Sequence, residues 1–226
     1  MKIPREVPVM TLPNATLFPH ALLPLYIFEP RYRQMLTDAL HTHRMFSVAM
    51  QKPGTSRETP LPVAGLGLIR VSVGHRDGTS HLILQGLARI ELEHTVRCRP
   101  YRVHRVRALR PPPCDNVRVD ALVANVRALL ERRFDLGLPF PYPPVAPEEN
   151  SIVAKPQPSL PPKEILQYLD SLENPEHAAD LVSCAVLPRA VQRQSILETV
   201  DVEERLRRLI HFLLAEIKTS RKSQGP

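Results

Sequence analysis

Tryptophan is absent from this 226-residue chain, and aromatic residues of all kinds make up only 5% of it. Cysteine is nearly absent too: Cys98, Cys114 and Cys184 are far apart and odd in number. That excludes a disulfide framework, points to a reducing compartment, and leaves each thiol to be read as a small buried hydrophobe. The eight glycines never fall into the G-x-x-x-x-G-K-[S/T] spacing that cradles a nucleotide phosphate. Gly65 and Gly67 are followed by Arg70 where a dinucleotide fingerprint needs its third glycine. No G-x-S-x-G elbow and no S-x-x-K nucleophile pair occurs, and neither H-E-x-x-H nor C-x-x-C is present. His41 and His43 flank Thr42 at the end of a predicted helix and read as a solvated helix end. The chain is therefore expected to be non-enzymatic, with no metal and no cofactor. Long apolar runs are missing as well. The longest, Ala21–Phe28, is broken by Pro24 and is much too short to span a bilayer. The opening MKIPREVPVM has no apolar core of the kind a secretion signal needs. A soluble, cytoplasmic protein with no membrane partner is the expectation.

Proline, by contrast, is abundant, at 25 residues, roughly twice the usual share. Pro8, Pro13, Pro19, Pro24 and Pro30 punctuate the first part of the chain. Each fixes its own φ and pushes the preceding residue toward extended geometry. Between them lie the β-prone runs Thr16-Leu17-Phe18 and Leu25-Tyr26-Ile27-Phe28. After Glu29 the apolar period changes: Tyr32, Met35, Leu36, Ala39 and Leu40 form a helical stripe, with Pro30 suited to the first turn. Further strands are expected at Phe46–Met50, Val63–Val73, Ser80–Gln85, Leu87–Thr95 and Tyr101–Leu109. Asp77-Gly78 marks a hairpin, and Gly65 and Gly67 mark a bulge or a close backbone approach.

Pro111-Pro112-Pro113 closes this β-rich part. Asp115 is a good N-cap for a helix carrying Leu122, Val126, Leu129, Leu130 and Phe134. A segment with nine prolines, residues 137–163, is too long for an ordinary connection and reads as a variable insertion. A helical stripe of Ile165, Leu166, Leu169 and Leu172 follows. Asn174-Pro175-Glu176 opens the next helix, Pro188 another, and Asp201 caps the strongest, whose stripe runs from Val202 to Ile217. The fold class is α+β: a β pseudo-barrel over residues 1–110, then a helical bundle over 111–226.

Two stretches resemble a known family. Leu12-Pro13-Asn14, Leu17-Phe18-Pro19, Leu23-Pro24-Leu25 and Ile27-Phe28-Glu29 with Arg31-Tyr32 match the opening of the N-terminal, substrate-binding domain of Lon proteases. That module is also found in cereblon and as free-standing bacterial proteins. Gln194, Leu197, Glu198, Asp201, Arg205 and Leu206 match its last helical pattern. His20 departs from the family, standing where a glycine is usual, so a tight turn there must accept a side chain. The resemblance implies a PUA-like pseudo-barrel and recognition of unfolded or partly folded polypeptides, in an adaptor or regulator of proteolysis that meets a protease complex. The ATPase and Ser–Lys protease motifs of Lon itself are missing from the sequence.

Site residues follow from these readings. Phe18, His20, Leu22 and Tyr26, with the loop Gln51–Pro62, are the candidate polypeptide contacts. Glu29, Arg31 and Arg89 read as structural, since an unpaired charge at the apolar strand-to-helix junction would be costly. Charge offers a rival. Residues 1–110 carry 16 basic and 7 acidic residues, a balance of +9 within a total of +7. Six arginines lie between Arg97 and Arg110 with no acid among them. Arg97, Arg99, Arg105 and Arg107 are the candidate nucleic-acid contacts, because phosphate-tracking needs such a stripe. The run reads first, however, as a solvated edge strand, where positive charge opposes aggregation, with nucleic-acid binding the alternative, and Tyr101 is its one stacking aromatic.

Overall fold

The computed structural model describes residues 2–55, 58–138, 167, 171–172 and 174–223. Apart from Gly137 and Leu138, the proline-rich segment lies outside them, as does most of the expected helix around Leu166. The chain divides into two compact units, one built on residues 1–110 and one beginning at Pro111. Six strands and five helices among the described residues make an α+β fold.

The first unit holds β1 (Glu6–Leu12), β2 (Leu22–Ile27), α1 (Pro30–Leu40), β3 (Met45–Met50), β4 (Val63–Gly74), β5 (Ser80–Arg97) and β6 (Arg102–Ala108). Pairing closes on itself in the order β5-β4-β3-β1-β6-β5, and β2 adds to the first half of β5. β1 and β3 run parallel, which requires the crossover that β2 and α1 supply. Both strands are buried on two faces. Met10, Leu12, Phe46 and Val48 pack with the Tyr32–Ala39 stripe of α1, whereas Val7, Val9, Met45 and Ala49 join Leu66, Ile90 and Leu92. Tyr32 fixes α1 on β1: its hydroxyl accepts from Thr11 N and donates to Thr11 O, both at 3.2 Å. Burial pushes its phenol up to about 12.

Three expectations change here. Thr16-Leu17-Phe18 forms no strand; it crosses the sheet in irregular backbone. Ser80–Gln85 and Leu87–Thr95 are one continuous strand, because Gly86 serves close approach and not a turn. A Cβ on Gly86 would lie 1.9 Å from Phe18 O, and one on Gly65 would lie 1.9 Å from Leu17 O. The glycines thus let the proline-ruled segment lie directly on β4 and β5, as the Gly65–Gly67 signal suggested. The third change concerns the thiols: Cys184 is buried, but Cys98 and Cys114 are exposed.

The second unit holds α2 (Asn116–Asp135), α3 (Pro175–Val186), α4 (Ala190–Glu198) and α5 (Val202–Ser223). The capping residues do what their chemistry dictates. Asp115 accepts from Val117 N, Asn174 from Glu176 N, and Asp201 from Glu204 N. Buried charge is paired. Arg205 is fully buried and donates to Asp180 Oδ1 at 3.0 Å, to Thr199 O at 3.0 Å and to Val200 O at 2.8 Å. Arg133 clamps Glu216 through two bonds of 2.9 and 3.0 Å, tying α2 to α5.

Candidate functional site

A one-residue bulge builds the main candidate surface. Along β4, Ile69 pairs with Leu84 and points inward; Val71 then pairs with Ile83, so Arg70 is the extra residue. Strict alternation would send Val71 and Val73 into the core with Ile69. The bulge reverses their parity and turns both outward, beside their partners Ile83 and His81. On the other flank of β5, Leu22 pairs with Gln85, Pro24 with Ile83 and Tyr26 with His81. One outward face therefore carries Leu22, Pro24 and Tyr26 from β2, Ile83 from β5, and Val71 and Val73 from β4. Leu22 is 51% exposed, Val71 48%, Val73 53% and Ile83 37%. Scattered apolar exposure needs no explanation, but a contiguous three-strand face does.

The rim of this face is basic and aromatic. Arg70 Nε donates to Gln85 Oε1 at 2.5 Å. At the β4–β5 turn, His75 Nε2 and His81 Nδ1 share a hydrogen bond of 2.7 Å, and the Tyr26 ring lies 4.7 Å from that of His81. The turn itself is set by Asp77, which accepts from Thr79 N and Oγ1, and by Gly78 at φ +83°. The Thr79 bonds hold the Asp77 carboxyl below its usual value.

The sequence-derived candidates fall in different places. Leu22 and Tyr26 lie on the outward face. His20 is exposed at φ +65°, a left-handed turn where a glycine would be unstrained, and its N–H donates to Gly86 O at 2.9 Å. Phe18 is fully buried, so its ring is core and cannot touch a client. Of the Gln51–Pro62 loop, the described part is pinned by a Gln51–Pro60 bridge and by Glu58. Sequence reasoning missed Val71, Val73 and Ile83. The parity change at Arg70 hid them, because an unbroken Val63–Val73 alternation assigns Val71 and Val73 to the core side.

Arg31 ties down the strand-to-helix junction. Its Nε and Nη2 donate to Glu29 Oε2 at 2.9 and 2.7 Å, its Nη2 donates to Glu58 Oε1 at 2.7 Å, and its Nη1 donates to Glu58 Oε2. The same guanidinium lies 4.4 Å from the centroid of the Tyr32 ring. Its bonds to Glu58 lower that carboxyl and raise the arginine's own pKa. Arg89 is buried in β5, 4% exposed.

The arginine run divides. Arg105 and Arg107 lie on β6, which is paired to β1 on one side and β5 on the other, so it is not an edge strand. Both arginines meet the acids of β5. Arg107 Nη2 bonds Glu91 Oε2, and Glu93 lies 3.8 Å from Arg107 and 3.9 Å from Arg105. Arg97 lies over the Tyr101 ring at 4.7 Å, and Arg99 lines a cavity with Arg102. The four candidate nucleic-acid contacts are thus split between a neutralised ladder and a pocket and do not form one basic stripe.

The comparisons with known proteins bear on what this arrangement is for. A family model for the substrate-binding domain of the ATP-dependent protease La (Lon) matches residues 6–215. The chain belongs to the Lon substrate-binding domain family. It is 28% identical over 229 residues to the Lon protease of Roseiflexus castenholzii, aligning 98% of this chain with 26% of that protein. With the Lon protease of Dictyoglomus thermophilum it is 24% identical over 219 residues, 96% of this chain and 25% of the relative. The chain thus spans about a quarter of the length of these curated relatives. Among solved structures, the N-terminal domain of a Mycobacterium avium complex Lon protease superposes with a TM-score of 0.68 at 18% identity, covering 92% of this chain and 97% of that one. A Lon N-terminal domain protein from Xanthomonas campestris superposes at 0.60 with 22% identity, covering 92% and 98%. These two show the fold. The match is confined to the substrate-binding module of Lon, and no protease or ATPase module matches within this chain. No helix among the described residues is long and apolar enough to cross a membrane.

Proposed function

We propose that this chain recognises unfolded or partly folded polypeptides, without catalysis of its own, through the outward face of β2, β5 and β4. The observation that carries the reading is the exposed apolar set Leu22, Val71, Val73 and Ile83, turned outward together by the Arg70 bulge. An extended client laid across this face buries apolar side chains at alternate positions. Tyr26 and His20 contribute at the margin. Residues 1–110 act as the client-binding subdomain, a PUA-like pseudo-barrel, and residues 111–226 as its helical companion. In a cytoplasmic setting such a module serves as an adaptor or regulator that presents clients to a protease complex. Membership of the Lon substrate-binding family supports this direction.

RNA recognition is the weaker reading, because Glu91 and Glu93 already neutralise Arg105 and Arg107. The test is hydrogen exchange in the presence and absence of a permanently unfolded client such as reduced, carboxymethylated α-lactalbumin. Protection is expected at residues 22–27 and 70–74. Protection confined to residues 97–110, or elsewhere in the chain, refutes the assignment.

A further inference from the structure

A second site lies in the first unit, away from the β2-β5-β4 face. A cavity of about 390 Å³ opens between the start of α1, the end of the 51–62 loop and the turn joining β5 to β6. Arg31 and Tyr32 form one wall, Glu58 and Thr59 another, and the Cys98–Arg102 turn the third.

The charges in this cavity are unequal in what they have left to give. Arg31 is committed to Glu29 and Glu58, and those carboxylates are committed to it. Arg99 and Arg102 are not: among the described residues neither side chain has a hydrogen bond or an ion pair. Arg102 nevertheless helps to hold the Glu58 carboxyl below its usual value, so its charge is felt inside the cavity. Three arginines line the cavity with one carboxylate, Glu58, while Glu29 holds Arg31 from outside the lining, and the surplus positive charge sits on the two guanidinium groups of Arg99 and Arg102. Arg97, Arg105 and Arg107, by contrast, are engaged, with the Tyr101 ring, Glu91 and Glu93. A concave wall with two free guanidinium forks suits an oxyanion, which such forks bind bidentately.

We propose that this cavity is an oxyanion site, taking a phosphate or carboxylate group between Arg99 and Arg102. Thr59 offers a hydroxyl from the facing wall, and Pro100 and Tyr101 give a small apolar surface for the rest of the ligand. The volume admits one small group: a free phosphate, a phosphate monoester, or the terminal carboxylate of a polypeptide.

Cys98 supplies a reporter, since it is exposed and lines the cavity, while exposed Cys114 lies in the other unit and serves as control. Alkylation of the native full chain by iodoacetamide is followed at each thiol by mass spectrometry. Inorganic phosphate, an N-acetyl tripeptide with a free carboxylate and the same tripeptide amide are titrated against sodium chloride at matched ionic strength. An anion at twice its Kd occupies two-thirds of sites and slows Cys98 labelling about threefold, with Cys114 unchanged. Protection by phosphate alone makes the ligand a phosphate. Protection by the free tripeptide and not by its amide makes it a polypeptide terminus. Arg99→Gln, at an exposed position, and Arg102→Gln each abolish the protection. No protection beyond that of chloride, equal slowing at Cys114, or undiminished protection in both variants overturns the proposal. None of these outcomes depends on whether the apolar face binds clients.

Discussion

Replacing Arg205 with Met should unfold the helical unit at markedly lower temperature. The side chain is fully buried, and its loss takes a donor from three groups at once. Asp180, 1% exposed, is left as a buried carboxylate without its 3.0 Å partner, and Thr199 O and Val200 O lose donors. The Met side chain restores most of the volume, so the cost is electrostatic and not a cavity. Breaking a buried pair from one side costs about 3–5 kcal/mol. For a chain of this size that lowers the melting temperature by about 6–20 °C. The assay is thermal unfolding followed by circular dichroism at 222 nm, since the second unit holds four of the five described helices. Asp180→Asn in the same background removes the stranded charge and should recover part of the loss, giving a coupling energy above ~1 kcal/mol in a double-mutant cycle. A single Arg205→Met variant that melts within about 2 °C of the parent, less than 1 kcal/mol of cost, refutes the reasoning.

Other outcomes follow from the same geometry. Gly86→Ala places a methyl 1.9 Å from Phe18 O, with backbone and not a movable side chain in the way, so it should cost about 3 kcal/mol or more in urea unfolding. Alkylation before and after denaturation should find two reactive thiols in the native protein and three in guanidinium, because burial pushes the Cys184 thiol up to about 12 while Cys98 and Cys114 stay exposed. Glu58 gives a pH dependence. Its folded carboxyl is depressed chiefly by Arg31, so its stabilising pairing is complete above the ordinary carboxylate range and is lost as pH falls through the folded value. Glu58→Gln should therefore lower the melting temperature at pH 8, change it little once pH has fallen below the folded value, and so flatten the acid limb of the melting temperature against pH.

The parts of the fold written in local chemistry were legible in the sequence. Pro30, Asp115, Asn174 and Asp201 stand at helix starts because fixed φ and side-chain acceptors act within a few residues. Gly65 and Gly67 signalled a close approach without revealing that Leu17 was the neighbour, which is a long-range fact. Gly86 was misread as a break, since a glycine in a strand looks the same whether the chain turns or another segment crosses it. At the site the limit was parity. Leu22 and Tyr26 could be proposed from their place in a β-prone run, but Phe18 belongs to a crossing segment whose burial no alternation rule describes. Val71 and Val73 required knowledge of a bulge that only the pairing with β5 reveals. Likewise an arginine-rich strand looks unpaired until its neighbour is known; here Glu91 and Glu93 sit across from it.

The most direct measurement of the central claim is the affinity of the Val71→Ser, Val73→Ser, Ile83→Ser triple variant for a fluorescent, permanently unfolded client. All three residues are largely outside the core, so the variant should fold as the parent does. Burying the exposed part of each is worth roughly 1 kcal/mol. The triple variant should therefore lose about 2–3 kcal/mol of binding, a factor of roughly 30–150 in Kd. The parent's affinity should hold as salt rises, because apolar burial is not screened, and Arg105→Ala with Arg107→Ala should change it little. Unchanged client affinity in the triple variant, or binding that collapses with salt and with the arginine pair, would contradict the account.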